Sequence, residues 1–335
     1  MQSNPTFPAR EKVTARASWL SLVLSTLIMA GKFAAFELTH STAVLSDAVE
    51  SIVNVIAAFV AVFVIRVVAR PADEDHPYGH GKLEYFSAAF EGGLIAFASL
   101  AIANEAVRAL FRGEALHQLD RGAFIMVGTA VLNLLLGLHL KRVGKKFKSE
   151  ALSASGEHVL SDVWTTIGVV IGLLIVSMTN IYWIDPLVAL LVAAQLGYSG
   201  YKIVRKSGGA LMDEIEPESL KELTEAFQKH KKPWVIDIHN LKVIRSGHFH
   251  HIDGHLVVPE FWDVAKTHSL AGEFERSVVD TYPFDGEIAF HVDPCERKYC
   301  SHCEMPDCPI RLRKFESPKI FSTEHLIGGP KPDGK

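Results

Sequence analysis

Six apolar runs in the first two-thirds of the chain constrain its fold more than any other feature. They fall at about 19–38, 43–65, 86–106, 123–140, 158–178 and 182–200. Each is close to the ~20 residues that a helix needs to cross ~30 Å of hydrocarbon. Lys32 lies inside the first run and several others carry polar residues. Such side chains are costly in lipid and are expected to face the interior of a helix bundle. The stretch 17–30 lacks a small-residue cleavage pattern and further spans come after it, so no cleavable signal peptide is expected.

Composition agrees with a hybrid of membrane and water-soluble parts. The 335 residues are 48% hydrophobic and 21% charged, and the mean hydropathy of +0.18 falls between a soluble and an all-membrane chain. A net charge of -4 lacks the basic excess of a nucleic-acid binder. Lysine and arginine set the expected orientation. One side collects Arg10, Lys12 and Arg16, then Arg66, Arg70 and Lys82, then Lys141, Arg142, Lys145, Lys146 and Lys148, then Lys202, Arg205 and Lys206. The other has Arg108, Arg112 and Arg121 and an uncharged 179–181. The richer side is cytoplasmic, which leaves both termini in the cytosol.

After Lys206 the pattern changes. Ser207, Gly208 and Gly209 read as a flexible joint. An amphipathic helix is expected over 217–228, with Leu220, Leu223 and Phe227 at helical spacing. Strands are expected at 235–244 and 250–258 around a Ser246-Gly247 turn, then a helix at 261–281 and a strand at 287–292. That order suits a small α+β ferredoxin-like domain. The organisation is thus a segment 1–16 in the cytosol, a six-helix membrane domain 17–206, a cytosolic domain 207–294 and a cysteine-bearing tail 295–335, disordered from Ser317-Pro318 onward.

Two of the runs carry groups suited to a cation. Asp47, Glu50 and Asn54 are spaced i, i+3, i+7 on one helical face, and His158 and Asp162 share another at i, i+4. Two helices that each offer a pair of oxygen or imidazole ligands can close a four-coordinate site for a divalent ion. The alternative is that these residues cap helix ends or bond between helices. The loop 70–84 adds Asp73, His76 and His80 beside further carboxylates, either a weak metal site or a turn shaped by Pro77 and Gly79.

With these motifs in view, 16–294 resembles the cation diffusion facilitators, most strongly in the string Arg70-Pro71-Ala72-Asp73-Glu74-Asp75-His76-Pro77-Tyr78-Gly79-His80-Gly81-Lys82-Leu83-Glu84. The resemblance implies a homodimeric antiporter that exports a divalent transition metal from the cytosol against protons, with six spans and a ferredoxin-like domain per protomer. It places Glu50, Asn54, His158 and Asp162 at the transport-site quartet. Related zinc exporters mostly carry Asp or His at the place of Glu50 and Asp at that of Asn54, and Asp47 is the nearby group that could compensate. Zinc is the first expectation, with Fe, Co, Ni, Cd and Mn open, and no cysteine in the quartet favours Cu⁺. Asp73, His76 and His80 fall where some members hold a second metal.

In the soluble domain the resemblance puts His239, His255, His268, His291 and Asp293 at or near regulatory metal positions, in a site that bridges two protomers. Strand period independently places His291 with Asp293, and His251 and Asp253 with His255. The four cysteines, Cys295, Cys300, Cys303 and Cys308, lie beyond the shared core. They suggest a structural zinc or a metal-delivery site with His302 as a substitute ligand, or else a disulfide pair. No catalytic cofactor is expected. A membrane-anchored metalloenzyme lacks any HExxH, nucleophile elbow or phosphate loop. That enzyme would also leave the intramembrane ligands without a purpose. A metal sensor that moves no ions could share every ligand and stays open as the alternative, set apart only by the intramembrane quartet.

Overall fold

The computed structural model describes residues 7–112, 116–147 and 149–328. The first six residues of the N-terminal segment, Lys148 of the basic loop and residues 329–335 of the tail lie outside the described residues. The chain divides into two compact units, 1–212 and 213–335.

The first unit is six helices: α1 (Phe7–Thr39), α2 (Thr42–Val68), α3 (Lys82–Arg112), α4 (Leu119–Phe147), α5 (Glu150–Thr179) and α6 (Ile184–Leu211). All six are long and apolar enough to cross a bilayer. Its polarity is inverted relative to a soluble bundle. Phe59, Phe63, Phe97, Phe124, Trp164 and Leu191 point outward, while Lys32, Asp47, Glu50, Asn54, His158 and Asp162 are buried. Lipid accepts the first set, and the second must find partners inside the protein.

Two devices fix the helices that carry the buried polar groups. Ser41 caps α2 by accepting from the Val44 N–H at 3.1 Å, and Asp185 of α6 accepts from the Ser41 hydroxyl at 2.5 Å and the Thr42 N–H at 2.6 Å. A carboxylate at a helix N-terminus meets the orphan amides there. The α4–α5 pair depends on small residues that let backbones approach. A Cβ on Gly156, two positions before His158, would lie 2.6 Å from the Lys141 amide nitrogen.

The second unit has α7 (Pro217–His230), β1 (Asp237–Ser246), β2 (Phe249–Val258), α8 (Val264–Val279) and β3 (Asp285–Pro294). The sheet order is β1-β2-β3, with β1 and β2 antiparallel and β2 and β3 parallel across α8. This is the expected ferredoxin-like α+β arrangement. Leu220, Leu223, Phe227, Ile238, Leu241, Val243, Ile252, Leu256, Phe274 and Val278 form its core. The spacing of Ile238, Leu241 and Val243 breaks strict alternation. A bulge between His239 and Lys242, with Asn240 at φ 50°, shifts the register there and keeps all three on the core side.

Two boundaries differ from those read in the sequence. Ser207, Gly208 and Gly209 are not a joint: α6 continues through them to Leu211 and the division falls after Met212. Neighbouring turns of a membrane-length helix override the low helix preference of two glycines. The tail is not disordered from Ser317 through Gly328. Phe321 and Leu326 are buried in the domain core, and α9 (Thr323–Gly328) packs on the edge strand β1. Two well-placed apolar side chains anchor a segment whose average composition is Pro-, Gly- and Lys-rich.

The Gly156 contact sets a first expectation. Gly156→Ala forces a shift in α4 or α5 and lowers stability by roughly 1–3 kcal/mol, whereas Gly93→Ala, with nothing within 4 Å of its Cβ, is neutral. Thermal unfolding of the detergent-solubilised protein checks this, and equal midpoints for the two variants would contradict the close packing.

Candidate metal centres

The helix spacing seen in the sequence brings α2 and α5 together as expected. Ligand atoms of Glu50, His158 and Asp162 lie within 4.8 Å of one another. Asn54 joins them by donating from Nδ2 to Asp162 Oδ2 at 2.5 Å. That bond turns the amide so that its carbonyl oxygen stays available as a lone-pair donor. Thr165 holds the backbone locally by donating to the Asp162 carbonyl at 2.9 Å.

What the four residues share is unsatisfied polarity. Glu50 Oε1, Asn54 Oδ1, His158 Nε2 and Asp162 Oδ1 are all buried without a hydrogen-bond partner. Each such group costs about 1–3 kcal/mol when left alone, so four from one cluster is an expensive arrangement for a purely structural core. A divalent cation is the ligand that one imidazole and three oxygens satisfy together.

Asp47 stands apart from this set. Lys32 Nζ contacts Asp47 Oδ1 at 2.8 Å and the Thr166 hydroxyl donates to Oδ2 at 2.8 Å. With both oxygens engaged by neighbours, Asp47 is the counter-ion of Lys32 beside the quartet. The reason is local: Lys32 is fully buried on α1 and needs the nearest carboxylate. Its place in the bundle interior is readable from the sequence, but its partner is not. Glu91 of α3, which lies in electrostatic range of His158 and Asp162, was also missed. A lone glutamate in an apolar helix gives no spacing signal.

The loop residues also converge. Asp73, His76 and His80 have ligand atoms within 4.8 Å of one another. Asp73 accepts from the His76 N–H at 2.7 Å, and His80 Nε2 lies 3.4 Å from its other oxygen. Against the upward push of desolvation, the His76 N–H and ring hold the Asp73 carboxyl below its usual range. His80 Nδ1 is buried without a hydrogen-bond partner. The turn and the ligand cluster are therefore the same structure.

In the second unit the register aligns three histidines across the sheet: His239 opposite His255, and His255 opposite His291. Asp293 reaches all three, at 3.7 Å from His239 Nε2, 2.8 Å from His255 Nδ1 and 3.3 Å from His291 Nε2. Burial pushes the His239 imidazole below its ordinary value, against the raising pull of Asp237 and Asp293, which favours the neutral form that binds metal. His268 does not join this row. It is exposed on α8, in electrostatic range of Glu275. His251 pairs instead with Glu287 at 2.8 Å.

Asp237 and His325 were overlooked. Asp237 is fully buried two residues before His239, with Oδ2 lacking a hydrogen-bond partner, and His325 of α9 meets its other oxygen at 2.7 Å. The i, i+2 spacing of Asp237 and His239 was a usable signal, whereas nothing in the tail pointed to His325. Among the cysteines, all four are free thiols, so the disulfide alternative is not formed. His302 is turned toward the Ser317 carbonyl at 3.1 Å.

Comparison with known proteins gives the family of both units. Residues 18–212 match the family model of the cation efflux transmembrane domain, and 215–295 match that of the cation efflux protein cytoplasmic domain. An uncharacterized transporter of Synechocystis is 34% identical over 83% of this chain and 89% of its own length. The cation-efflux pump FieF of Cronobacter sakazakii is 26% identical over 85% of this chain and 94% of its own. The manganese efflux system protein MneP of Bacillus subtilis is 24% identical over 85% and 97%. The chain belongs to the cation diffusion facilitator family of multi-pass membrane transporters that export divalent metals, and it is not an enzyme.

Removing Lys32 tests the neighbouring ion pair. Lys32→Met leaves Asp47 buried and uncompensated, a loss of about 3–5 kcal/mol, and the further change Asp47→Leu recovers much of it. Thermal unfolding of both variants reports the difference. A Lys32→Met protein as stable as the unaltered one would contradict the pairing.

Proposed function

We propose that this protein exports a divalent transition metal from the cytosol in exchange for protons, with Glu50, Asn54, His158 and Asp162 as the transport site. The observation that carries this reading is the set of four buried ligand atoms without a hydrogen-bond partner on two facing membrane helices, with His158 Nδ1 3.7 Å from Asp162 Oδ1. A carboxylate or imidazole lone pair accepts either a metal or a proton, so arrival of one occupant displaces the other. A tilt of α2 and α5 that opens the quartet alternately to each side then makes exchange obligatory.

Zinc is the first reading of the metal. Manganese is the second, supported by the oxygen-rich donor set with its neutral amide and by the likeness to a manganese efflux protein. The basic loops favour cytosolic termini, in a bacterial inner membrane. The sheet row His239, His255, His291 and Asp293 acts as a cytosolic metal sensor that stabilises a homodimer, and the loop cluster Asp73, His76 and His80 takes metal on the cytoplasmic side.

Proteoliposomes with an internal metal-sensitive dye and an imposed pH gradient test the transport site. His158→Ala abolishes flux of zinc and manganese alike, and Asn54→Asp shifts the ratio of the two rates. His158→Ala flux equal to that of the unaltered protein would overturn the assignment.

Metal at the sheet is tested separately. At a hundredfold excess over its dissociation constant, zinc raises domain stability by about 2.7 kcal/mol. His255→Ala removes that increment while leaving the metal-free midpoint nearly unchanged, as read by thermal unfolding with and without metal.

A further inference from the structure

We propose that Cys295, Cys300, Cys303 and Cys308 form a tetrathiolate site for a zinc-class divalent ion that fastens the tail to the ferredoxin-like domain. The cytoplasmic-domain match ends at residue 295, so three of the four thiols lie outside the family's shared domain. Their order is Cys-x4-Cys-x2-Cys-x4-Cys, a close pair flanked by one more thiol on each side.

The structure turns that order inward. All four cysteines line one small cavity, with Ile236, Tyr299, Ile310 and Arg311. Cys303 is buried against Ile236 and Val257. Cys295 is held at the end of β3, its N–H donating to the Val258 carbonyl at 2.8 Å. Between them the only regular element is a five-residue 3-10 helix, Arg297–Ser301. So short a helix and so few apolar side chains give this loop little to hold its shape.

Arg311 supplies the rest of the cage. Its guanidinium donates to the carbonyls of Cys300 and Cys303 at 3.0 Å each and of Met305 at 2.8 Å. Four thiolates around a dication carry a net charge of -2, and Arg311 within the cavity lining offsets part of it. Binding one ion releases up to four thiol protons to solvent, with no oxidant or reductant required. Among the described residues, no three sulfurs fall within the 4.8 Å that unites each of the three clusters above. The ion therefore draws the loop inward as it binds.

That closure bears on the segment C-terminal to the cysteines. Glu316 N–H returns to the Ser301 carbonyl at 2.8 Å. The tail then brings Lys319 to 3.9 Å and His325 to 2.7 Å from Asp237, beside His239 of the sheet row. The thiolate site thus anchors the segment that engages the acidic neighbour of the histidine row.

The test uses the full-length protein, purified in detergent and reduced, and loaded with Co²⁺. A thiolate-to-cobalt charge-transfer band in the near ultraviolet is expected, and Cys300→Ser/Cys303→Ser loses it. Sites of oxygen and imidazole give no such band, so the outcome is independent of the transport reading. The double variant also retains one zinc fewer per chain after dialysis. Chelation of the unaltered protein speeds tryptic cleavage at Arg311, Arg313, Lys314 and Lys319. Absence of the band, with all four thiols still reacting with a thiol reagent in excess zinc, would overturn the site. Cleavage unchanged by chelation would overturn its fastening role.

Discussion

A polar atom buried in a membrane bundle has no water to turn to, and this constraint organises the first unit. Where partners exist, they are used: Lys32 with Asp47, Thr166 with Asp47, and Ser41 with Asp185. Where they are withheld, four of the withheld atoms gather on α2 and α5, while others fall at Asn133 of α4 and His80 of the loop. The satisfied pair and the unsatisfied quartet lie side by side in the same bundle.

Electrostatics connect the two. Glu50 and Asp162 bring carboxyl groups into hydrocarbon, and Lys32 lies close enough to feel both as well as Asp47. A fixed cation nearby lowers the cost of the carboxylates without occupying their lone pairs. Asn54 works in the same direction, because a neutral amide adds an oxygen to the cluster without adding charge. Close packing at Gly156 then sets where His158 stands. The site is thus positioned by backbone approach and tuned by a neighbouring ion pair.

Much of this was legible in the residues. Membrane spans announce themselves by length, and i, i+3, i+7 and i, i+4 spacings name the polar faces, so the bundle followed from periodicity, whereas the choice of the quartet came from the family resemblance. Period two paired His291 with Asp293, the family resemblance supplied His239, and the strand register then aligned His239, His255 and His291. Other features were hidden because they depend on long-range contacts. Asp47 has the same spacing credentials as Glu50, and only the approach of Lys32 from α1 shows that its oxygens are already engaged. His268 shares a residue type with the row but sits on the solvent side of α8. The order of the tail rests on Phe321 and Leu326, two side chains that composition averages away. The bulge at Asn240, which keeps Leu241 and Val243 in the core, is a backbone event with no residue pattern of its own.

The central claim is that one dication sits among Glu50, Asn54, His158 and Asp162. Anomalous diffraction at the zinc edge from metal-soaked crystals of the full chain measures this most directly. The account predicts a peak between α2 and α5, at about 2.0–2.2 Å from the imidazole nitrogen and the carboxylate oxygens. Peaks confined to the loop and the sheet, with none between those two helices, would contradict it.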